Sequence, residues 1–262
     1  MKITIITSNK SRHNYLINLL SNICDELFVL QECETIHPGI IPGHYPVSDV
    51  MKKYFNEVNS AQKKVFGDSY INKNSKNIKV LTMSTGDLNK CSLNFLSDFL
   101  KSDIYVVFGG SFIKEPLVDL LIKNKTFNIH MGISPYYRGT DCNFWALYDN
   151  NPHLVGATIH MISKGLDSGK ILYHAMSNAK ENPFVYTMTT AKSAFHSIVE
   201  RIQDKSIFEI KPLEQKKIKE IRYSKKIEFN DKIVNEYFKK DINLNSKEFD
   251  KLLLKDPFFF NQ

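Results

Sequence analysis

The sequence predicts an open, mostly parallel α/β sheet, and three observations support this fold class. Segments with strand periodicity alternate with segments of helical periodicity through the first half of the chain. Residues 104–108 form a short, continuously apolar run, which is typical of a strand buried on both faces of a parallel sheet. Polar side chains follow a later strand, and ligands of open α/β sheets bind beyond the carboxyl ends of the strands.

The predicted strands are short and rich in β-branched residues. In chain order they cover residues 2–7, Glu26–Leu30, Lys79–Met83, Ile104–Phe108, the segment with Asn128 and His130, and Val155–Met161. The predicted helices carry apolar residues at helical spacing. They cover Arg12–Asn22, the segment between Ser48 and Gly67, Leu93–Lys101, Glu115–Lys123 and Asp141–Tyr148. Ser48 is a favourable N-cap and Gly67 a favourable helix end.

The chain changes in character after about residue 205, so we expect a main domain over 1–205 and an appendage over 206–262. Alternation on either side of Ser224-Lys225 predicts a β-hairpin within Glu220–Phe229, and Asp231 begins a short amphipathic helix. The apolar tail Pro257–Phe260 must pack on the main domain or on a partner.

Composition excludes several classes of protein. No apolar run is long enough to span a membrane, and the N-terminus is typical of a first strand rather than a signal peptide. The four cysteines are scattered, which predicts reduced thiols in the cytoplasm, and no ligand spacing indicates a metal site. The net charge of +7 favours anionic ligands, but no motif or aromatic platform indicates nucleic acid.

Asn128 and His130 are two residues apart in a predicted strand, so their side chains share one face. The strand then ends in a loop with Gly132, Pro135 and Gly139. An imidazole can carry a proton, and a neighbouring amide can donate a hydrogen bond to a developing oxyanion. The pair can therefore perform acyl-transfer chemistry.

A second segment completes this set of residues. Asp167 lies in a glycine-rich loop, between Gly165 and Gly169, after the strand that ends at Met161. Asp and Gly also cluster in ordinary turns, so the position alone leaves a structural role open.

Four motifs follow one another: Asn-x-His-x(4)-Pro, Tyr-Arg-Gly, Gly-x-Thr-x-His and Leu-Asp-x-Gly-x-Ile-Leu. Their order resembles that of the folate-dependent formyltransferases over roughly residues 1–200. The resemblance implies a Rossmann-like formyltransferase fold and a catalytic trio at Asn128, His130 and Asp167. Many members have Ser-Leu-Leu-Pro where this chain has Gly132-Ile-Ser-Pro135. His160 follows the pattern, and we interpret it as structural.

The loop between the first strand and the first helix is a candidate anion site, because helix N-termini and basic side chains attract phosphates. An ordinary polar connection is the alternative. The resemblance implies that this loop binds the substrate phosphate. The predicted substrate-binding residues are Ser8, Asn9, Lys10, Ser11, Arg12, Tyr136 and Arg138.

Glycines after the buried strand Ile104–Phe108 permit a close approach of a ligand to the backbone, or form a plain turn. The resemblance implies that this place lines the pterin slot. The predicted folate-binding residues are Met83, Phe108, Gly109, Gly110, Ser111, Gly165 and Leu166.

The resemblance implies transfer of a formyl group from N10-formyltetrahydrofolate to a primary amine, without a metal. Length, motif variant and tail are most similar to the nucleotide-sugar N-formyltransferases, which act on dideoxyamino sugars of bacterial surface polysaccharide such as O-antigen. Four alternatives remain. The acceptor could be glycinamide ribonucleotide or methionyl-tRNA, and the protein could instead hydrolyse formyl-folate or bind its ligands without catalysis. Burial of the hairpin and tail across a two-fold axis predicts a homodimer.

Overall fold

The computed structural model describes residues 1–33, 48–178, 182–216, 219–244 and 253–260. The described strands are β1 (Lys2–Thr7), β2 (Glu26–Cys33), β3 (Ile78–Ser84), β4 (Ile104–Phe108), β5 (Thr126–His130), β6 (Tyr137–Gly139), β7 (Ala157–Met161), β8 (Ile171–Ser177), β9 (Arg222–Ser224) and β10 (Phe258–Phe260). The described helices are α1 (Ser11–Ser21), α2 (Asp49–Phe66), α3 (Leu117–Lys123), α4 (Cys142–Tyr148), α5 (Pro183–Gln203) and α6 (Asp231–Lys239).

Eight of the described strands form one sheet in the order β10-β8-β7-β5-β4-β1-β2-β3. β7 runs antiparallel to both of its neighbours, and every other pair in this sheet is parallel. The prediction of an open, mostly parallel sheet is therefore confirmed. The carboxyl ends of β1, β2, β4 and β5 lie at one edge of this sheet, because these strands are parallel neighbours.

Both faces of the sheet are covered, which explains the continuous apolar run of β4. α1 and α5 pack on one face around Leu16, Ile17 and Phe195, and α3 packs on the other around Leu117 and Leu121. Ser48 caps α2 as predicted, with its Oγ accepting from Met51 N–H at 3.1 Å. Gly67 ends that helix at a φ of 65°, which favours glycine.

The helix predicted at Leu93–Lys101 is wrong, since this segment has turns and one 3-10 turn, Ser97–Phe99. Its carbonyl groups have partners outside a helix. Phe99 O accepts from the Thr4 hydroxyl and Leu100 O from the Tyr105 hydroxyl. A helix this short has little intrinsic stability, so these tertiary hydrogen bonds determine the conformation.

The hairpin predicted within Glu220–Phe229 is also wrong. β9 pairs in parallel with β6, and the second half forms a 3-10 turn at Lys226–Glu228. The reason is the set of contacts between Arg222 and the main body of the chain. Its guanidinium contacts both carboxylate oxygens of Asp149, at 3.0 and 2.8 Å, and lies over the Trp145 ring.

The apolar tail packs on its own chain. β10 joins the main sheet beside β8 in parallel register, with Phe258 opposite Ala175. His174 of β8 supports this arrangement from within, because its Nδ1 accepts from Lys255 N–H at 2.7 Å while its Nε2 contacts Ser134 O at 2.9 Å. The imidazole therefore carries its proton on Nε2. In the described part of the chain, no helix combines the length and apolar character needed to cross a membrane.

Burial lowers the pKa of His174 to about 4, with smaller influences from Ser134 and Lys255. In the unfolded chain a histidine has a pKa near 6.5, so below that pH the unfolded state binds a proton that His174 in the folded state does not bind. We expect the free energy of unfolding to fall by up to about 2 kcal/mol between pH 6.5 and about pH 5 from this residue. Urea denaturation of the wild type and of His174→Gln, which cannot titrate, measures the difference. An equal pH dependence of both proteins would contradict it.

Candidate functional site

Three predicted residues and one further histidine meet at the edge of the sheet. Asn128 and His130 lie on β5, and Asp167 lies on the loop between β7 and β8. His130 Nδ1 is 3.3 Å from Asp167 Oδ2, and His160 Nε2 is 3.7 Å from Asp167 Oδ1. Asn128 Nδ2 is 2.9 Å from His160 Nε2 and 3.5 Å from Asp167 Oδ1. The structure therefore brings the predicted trio together and adds His160 to it.

The hydrogen bonds of His160 determine the direction of the Asn128 amide. His160 Nδ1 lies 2.8 Å from Met161 O, so Nδ1 carries the proton and Nε2 accepts from Asn128. The sequence indicates only a structural role for His160, because nothing in the motif shows that Asn128 and His160 face each other across β5 and β7. The contact between Asn128 and Asp167 is long for a hydrogen bond. That N–H can therefore turn toward another acceptor at little cost.

His130 is buried at the wall of the site and is placed to act as a base. Burial lowers its pKa, and the Asp167 carboxylate acts in the opposite direction but does not reverse the shift. A carboxylate is a stronger acceptor than a carbonyl, so the neutral ring carries its proton on Nδ1 toward Asp167. His130 Nε2, which lies 3.3 Å from Tyr137 O, is then the nitrogen that can accept a proton.

Asp167 stays ionised in this environment. Burial raises its pKa, but the neighbouring His130 and His160 rings outweigh burial, so the pKa of Asp167 is lowered overall. Its φ of 45° lies in the left-handed region, which aspartate tolerates better than most residues. Gln215 supports the loop by donating to Asp167 O at 2.9 Å and to Gly169 O at 2.7 Å.

The loop after β5 passes close behind His130. A side chain at Gly132 would place its Cβ 2.5 Å from Cys142 Cβ and 2.7 Å from His130 Nε2. Glycine at this position therefore allows Cys142 and the His130 ring to share the space.

A cavity of about 590 Å³ contains this site. Of the predicted substrate loop, Lys10 and Arg12 line the cavity, whereas Ser8, Asn9 and Ser11 do not. The guanidinium of Arg12 donates to Gln62 Oε1 at 2.7 Å, which connects the loop to α2.

Most of the predicted folate residues line the same cavity. The lining includes Phe108, Gly109, Gly110, Ser111, Gly165 and Leu166. Met83 is not part of the lining, because β3 lies at the far edge of the sheet. Gly109 has a φ of 66°, and a Cβ there would lie 2.6 Å from His13 Nε2.

The structure places Tyr136 and Arg138 outside the cavity lining. Tyr136 is buried in the apolar core, and its carbonyl accepts from Ile221 N–H at 2.8 Å. Arg138 contacts Glu220 at 3.1 Å and Leu166 O at 3.3 Å. Because β6 pairs with β9, both residues contact the C-terminal segment, and Arg138 also contacts Leu166 at the rim of the cavity lining.

Sequence reasoning missed the aromatic wall of the cavity. The wall residues from four helices are Tyr54 and Phe55 of α2, Phe144 of α4, Phe184 of α5 and Tyr237 of α6. The Tyr54 ring lies at the centre, with centroid distances of 5.1 to 6.4 Å to its aromatic neighbours. Lys226 lines the cavity as well. The sequence predicted α2, α4 and α6 as helices, but it did not predict α5 (Pro183–Gln203) or show that the apolar faces of the four helices meet.

A profile of the formyl transferase family matches residues 58–199, which is more than half of the chain. The chain belongs to this family. The resemblance seen in the four motifs is thus confirmed. Formyltransferase relatives include the methionyl-tRNA formyltransferase of Finegoldia magna, which is 26% identical over 128 residues. That match covers 48% of this chain and 41% of the relative, so the chain spans less than half of the relative's length.

Two solved structures of formyltransferases share the fold. The phosphoribosylglycinamide formyltransferase of Anaplasma phagocytophilum has a TM-score of 0.51 at 12% identity, over 78% of this chain and 85% of that chain. The N-formyltransferase of Helicobacter canadensis, in complex with folinic acid and dTDP-3-aminofucose, has a TM-score of 0.52 at 15% identity, over 90% and 79%. At this identity the similarity shows the fold alone.

The opposing influences on His130 predict the effect of replacing Asp167. Because the carboxylate raises the pKa of His130 against the effect of burial, we expect Asp167→Asn to lower that pKa further below 6.5. An NMR titration of the His130 ring protons measures the shift without any substrate. Asp98→Asn, the same change at an exposed surface carboxylate, should leave the titration unchanged. A rise of the His130 pKa in Asp167→Asn would show that another group dominates its environment.

Proposed function

We propose that this formyltransferase transfers the formyl group of N10-formyltetrahydrofolate to the primary amine of a nucleotide-linked amino sugar. One observation carries the proposal: Asn128, His130 and Asp167 meet in a cavity that also has basic residues and an aromatic wall. The family match supports formyl transfer, and the cavity supports the choice of acceptor.

The geometry of the trio accounts for the chemistry. His130 Nε2 takes up a proton from the acceptor amine as the new carbon–nitrogen bond forms. The Asn128 N–H that faces Asp167 turns to the formyl oxygen as it gains negative charge. Asp167 stabilises the imidazolium through Nδ1. His130 then gives the proton to the leaving nitrogen of the folate as its bond to the formyl carbon breaks.

We place the folate beside residues 108–111 and 165–166, on the side of the trio formed by the loops after β4 and β7. The glycines of both loops allow a flat ring to approach the backbone closely. Within the described residues, no group of three or more His, Cys, Asp or Glu side chains could hold a metal ion. The proposed mechanism uses only the residues named above.

The acceptor then occupies the rest of the cavity. Lys10, Arg12 and Lys226 supply positive charge for a diphosphate, and the wall around Tyr54 offers aromatic faces to a base or a deoxy sugar. The proposal includes no nucleic-acid acceptor, because the sequence contains no RNA-binding motif and no aromatic platform among its basic residues. All four cysteines are free thiols, which supports a cytoplasmic location. We propose a role in making precursors of surface polysaccharide from the proposed acceptor, a nucleotide-linked amino sugar.

Mass spectrometry of reaction products tests this function. The purified chain is incubated with N10-formyltetrahydrofolate and each member of an acceptor panel: nucleotide-linked amino sugars, glycinamide ribonucleotide and methionyl-tRNA. A formylated nucleotide sugar is the expected product. Formylation of methionyl-tRNA or glycinamide ribonucleotide alone would assign a different acceptor. Release of formate without any acceptor would identify a hydrolase.

His130→Ala should lower turnover by about 10²–10⁴-fold, because it removes the base that accepts the amine proton. His153→Ala makes the same change at a histidine outside the cavity and should keep normal turnover. Circular dichroism of both variants confirms that they are folded. Near-normal turnover of His130→Ala would disprove the mechanism.

We also propose that the chain forms a homodimer through the segment after residue 205. The predicted hairpin does not form, so it gives no support to a dimer. The support comes from three apolar side chains close together in sequence: Ile221, Tyr223 and Ile227 are 51%, 44% and 84% exposed. Light scattering at micromolar concentration should show a dimer, and Ile227→Asp should give a monomer, because a buried charge opposes association. Val80→Asp, on the edge strand β3, should leave the dimer intact. A wild-type monomer would refute the proposal.

A further inference from the structure

Two neighbouring residues at the end of β2 support two loops that both contribute to the cavity lining. Gln31 and Glu32 are buried, with exposed fractions of 6% and 1%. Successive residues of a strand point to opposite faces of a sheet. Their contacts follow this rule, because Gln31 reaches the loop after β1 and Glu32 reaches the loop after β4.

Glu32 binds two loops through three hydrogen bonds. Its Oε2 accepts from Ser111 N–H at 2.6 Å, and its Oε1 accepts from the Ser111 hydroxyl at 2.9 Å and from Gly86 N–H at 2.8 Å. A Cβ on Gly110 would lie 3.4 Å from Glu32 Oε2, so the carboxylate covers this glycine as well. Glu32 thereby fixes the segment 110–111, which lines the cavity.

A second polar residue holds the same two loops together. Asn89, in the 3-10 turn after Gly86, donates to Phe112 O at 2.9 Å and accepts from Lys114 N–H at 2.8 Å. The loops after β3 and β4 are therefore connected by five hydrogen bonds from two side chains.

Gln31 performs the corresponding task on the other face. Its Nε2 donates to Ser8 O at 3.2 Å and to Asn14 Oδ1 at 3.3 Å. Asn14 lies in the first turns of α1 and donates to Ser69 O at 3.1 Å. Gln31 thus supports the loop that carries Lys10 and Arg12 into the cavity.

The burial of Glu32 has an energetic cost that packing alone does not explain. A buried carboxylate is strongly unfavourable unless hydrogen bonds or an opposite charge compensate for lost hydration. Among the described residues, no Lys, Arg or His forms an ion pair with Glu32, so its compensation comes from neutral N–H and O–H donors. An apolar residue would fill this place at lower cost but could not hold the Ser111 backbone.

We propose that Glu32 and Gln31 are positioning residues for the two substrates. Glu32 fixes the loop that receives the formyl donor, and Gln31 fixes the loop that receives the diphosphate of the acceptor. This inference rests on the proposed function. Formyl transfer requires both substrates to be held near His130 within a narrow range of positions. One strand end that supports both loops keeps their separation constant.

Binding measurements on paired variants test this inference without knowledge of the acceptor. Folinic acid is the probe for the donor loop, and inorganic pyrophosphate, the part shared by nucleoside-diphosphate sugars, is the probe for the acceptor loop. Calorimetry gives the dissociation constant of the first, and NMR titration gives that of the second. Thermal unfolding checks that each variant is folded.

Glu32→Gln should weaken the binding of folinic acid about tenfold, because an amide N–H then faces the N–H or O–H donors of Ser111 or Gly86. The dissociation constant of pyrophosphate should not change. Gln31→Met, a residue of similar volume, should weaken the binding of pyrophosphate and leave the binding of folinic acid unchanged. Glu26→Gln, the same change as Glu32→Gln at the other end of β2, should affect neither ligand.

Equal weakening of both ligands by either variant, or unchanged binding in both variants, would overturn the inference. A wild type that binds neither probe would refute the proposed function and the inference together. The two failures are therefore distinguishable, because the wild type still binds both probes when the inference alone is wrong. Should Glu32→Gln fail to fold, Ser111→Ala decides. It removes one of the three hydrogen bonds of Glu32, so folinic acid should bind about threefold more weakly, and unchanged binding would count against Glu32.

Discussion

The antiparallel pairing of β7 with β5 is the constraint on which the site depends. It sets His160 opposite Asn128, and the loop that follows β7 then returns toward β5 and brings Asp167 to His130. A parallel neighbour could not do this, because a crossover connection would first carry the chain to the opposite edge of the sheet. The change of direction within a mostly parallel sheet thus collects four side chains from two strands and one loop.

Burial and charge act in opposite senses on the two central groups. Burial lowers the pKa of His130, so the ring is neutral and can accept a proton near neutral pH. The pKa of Asp167 is lowered because the neighbouring histidines outweigh burial, so this carboxylate remains charged. A neutral base beside a fixed negative charge suits a reaction in which positive charge develops on the base.

Residues of the C-terminal segment form part of the site itself. Gln215 holds the Asp167 loop, and Lys226 and Tyr237 complete the cavity wall. β10 extends the main sheet, and the bidentate contact of Arg222 with Asp149 fixes β9 against the main body. A change that breaks these contacts would therefore also change the shape of the cavity.

The sequence by itself determined the alternation of elements in the first half of the chain, the fold class and the trio, since these depend on local periodicity and on a motif carried by short segments. It also located Lys10, Arg12 and residues 108–111, because parallel strands bring their following loops to one edge. Tertiary structure alone decided the partners of β9 and β10, the place of His160 and the aromatic wall. Each depends on contacts between residues far apart in the chain. The Leu93–Lys101 segment shows the reason: hydrogen bonds from Thr4 and Tyr105 override a weak local helical preference.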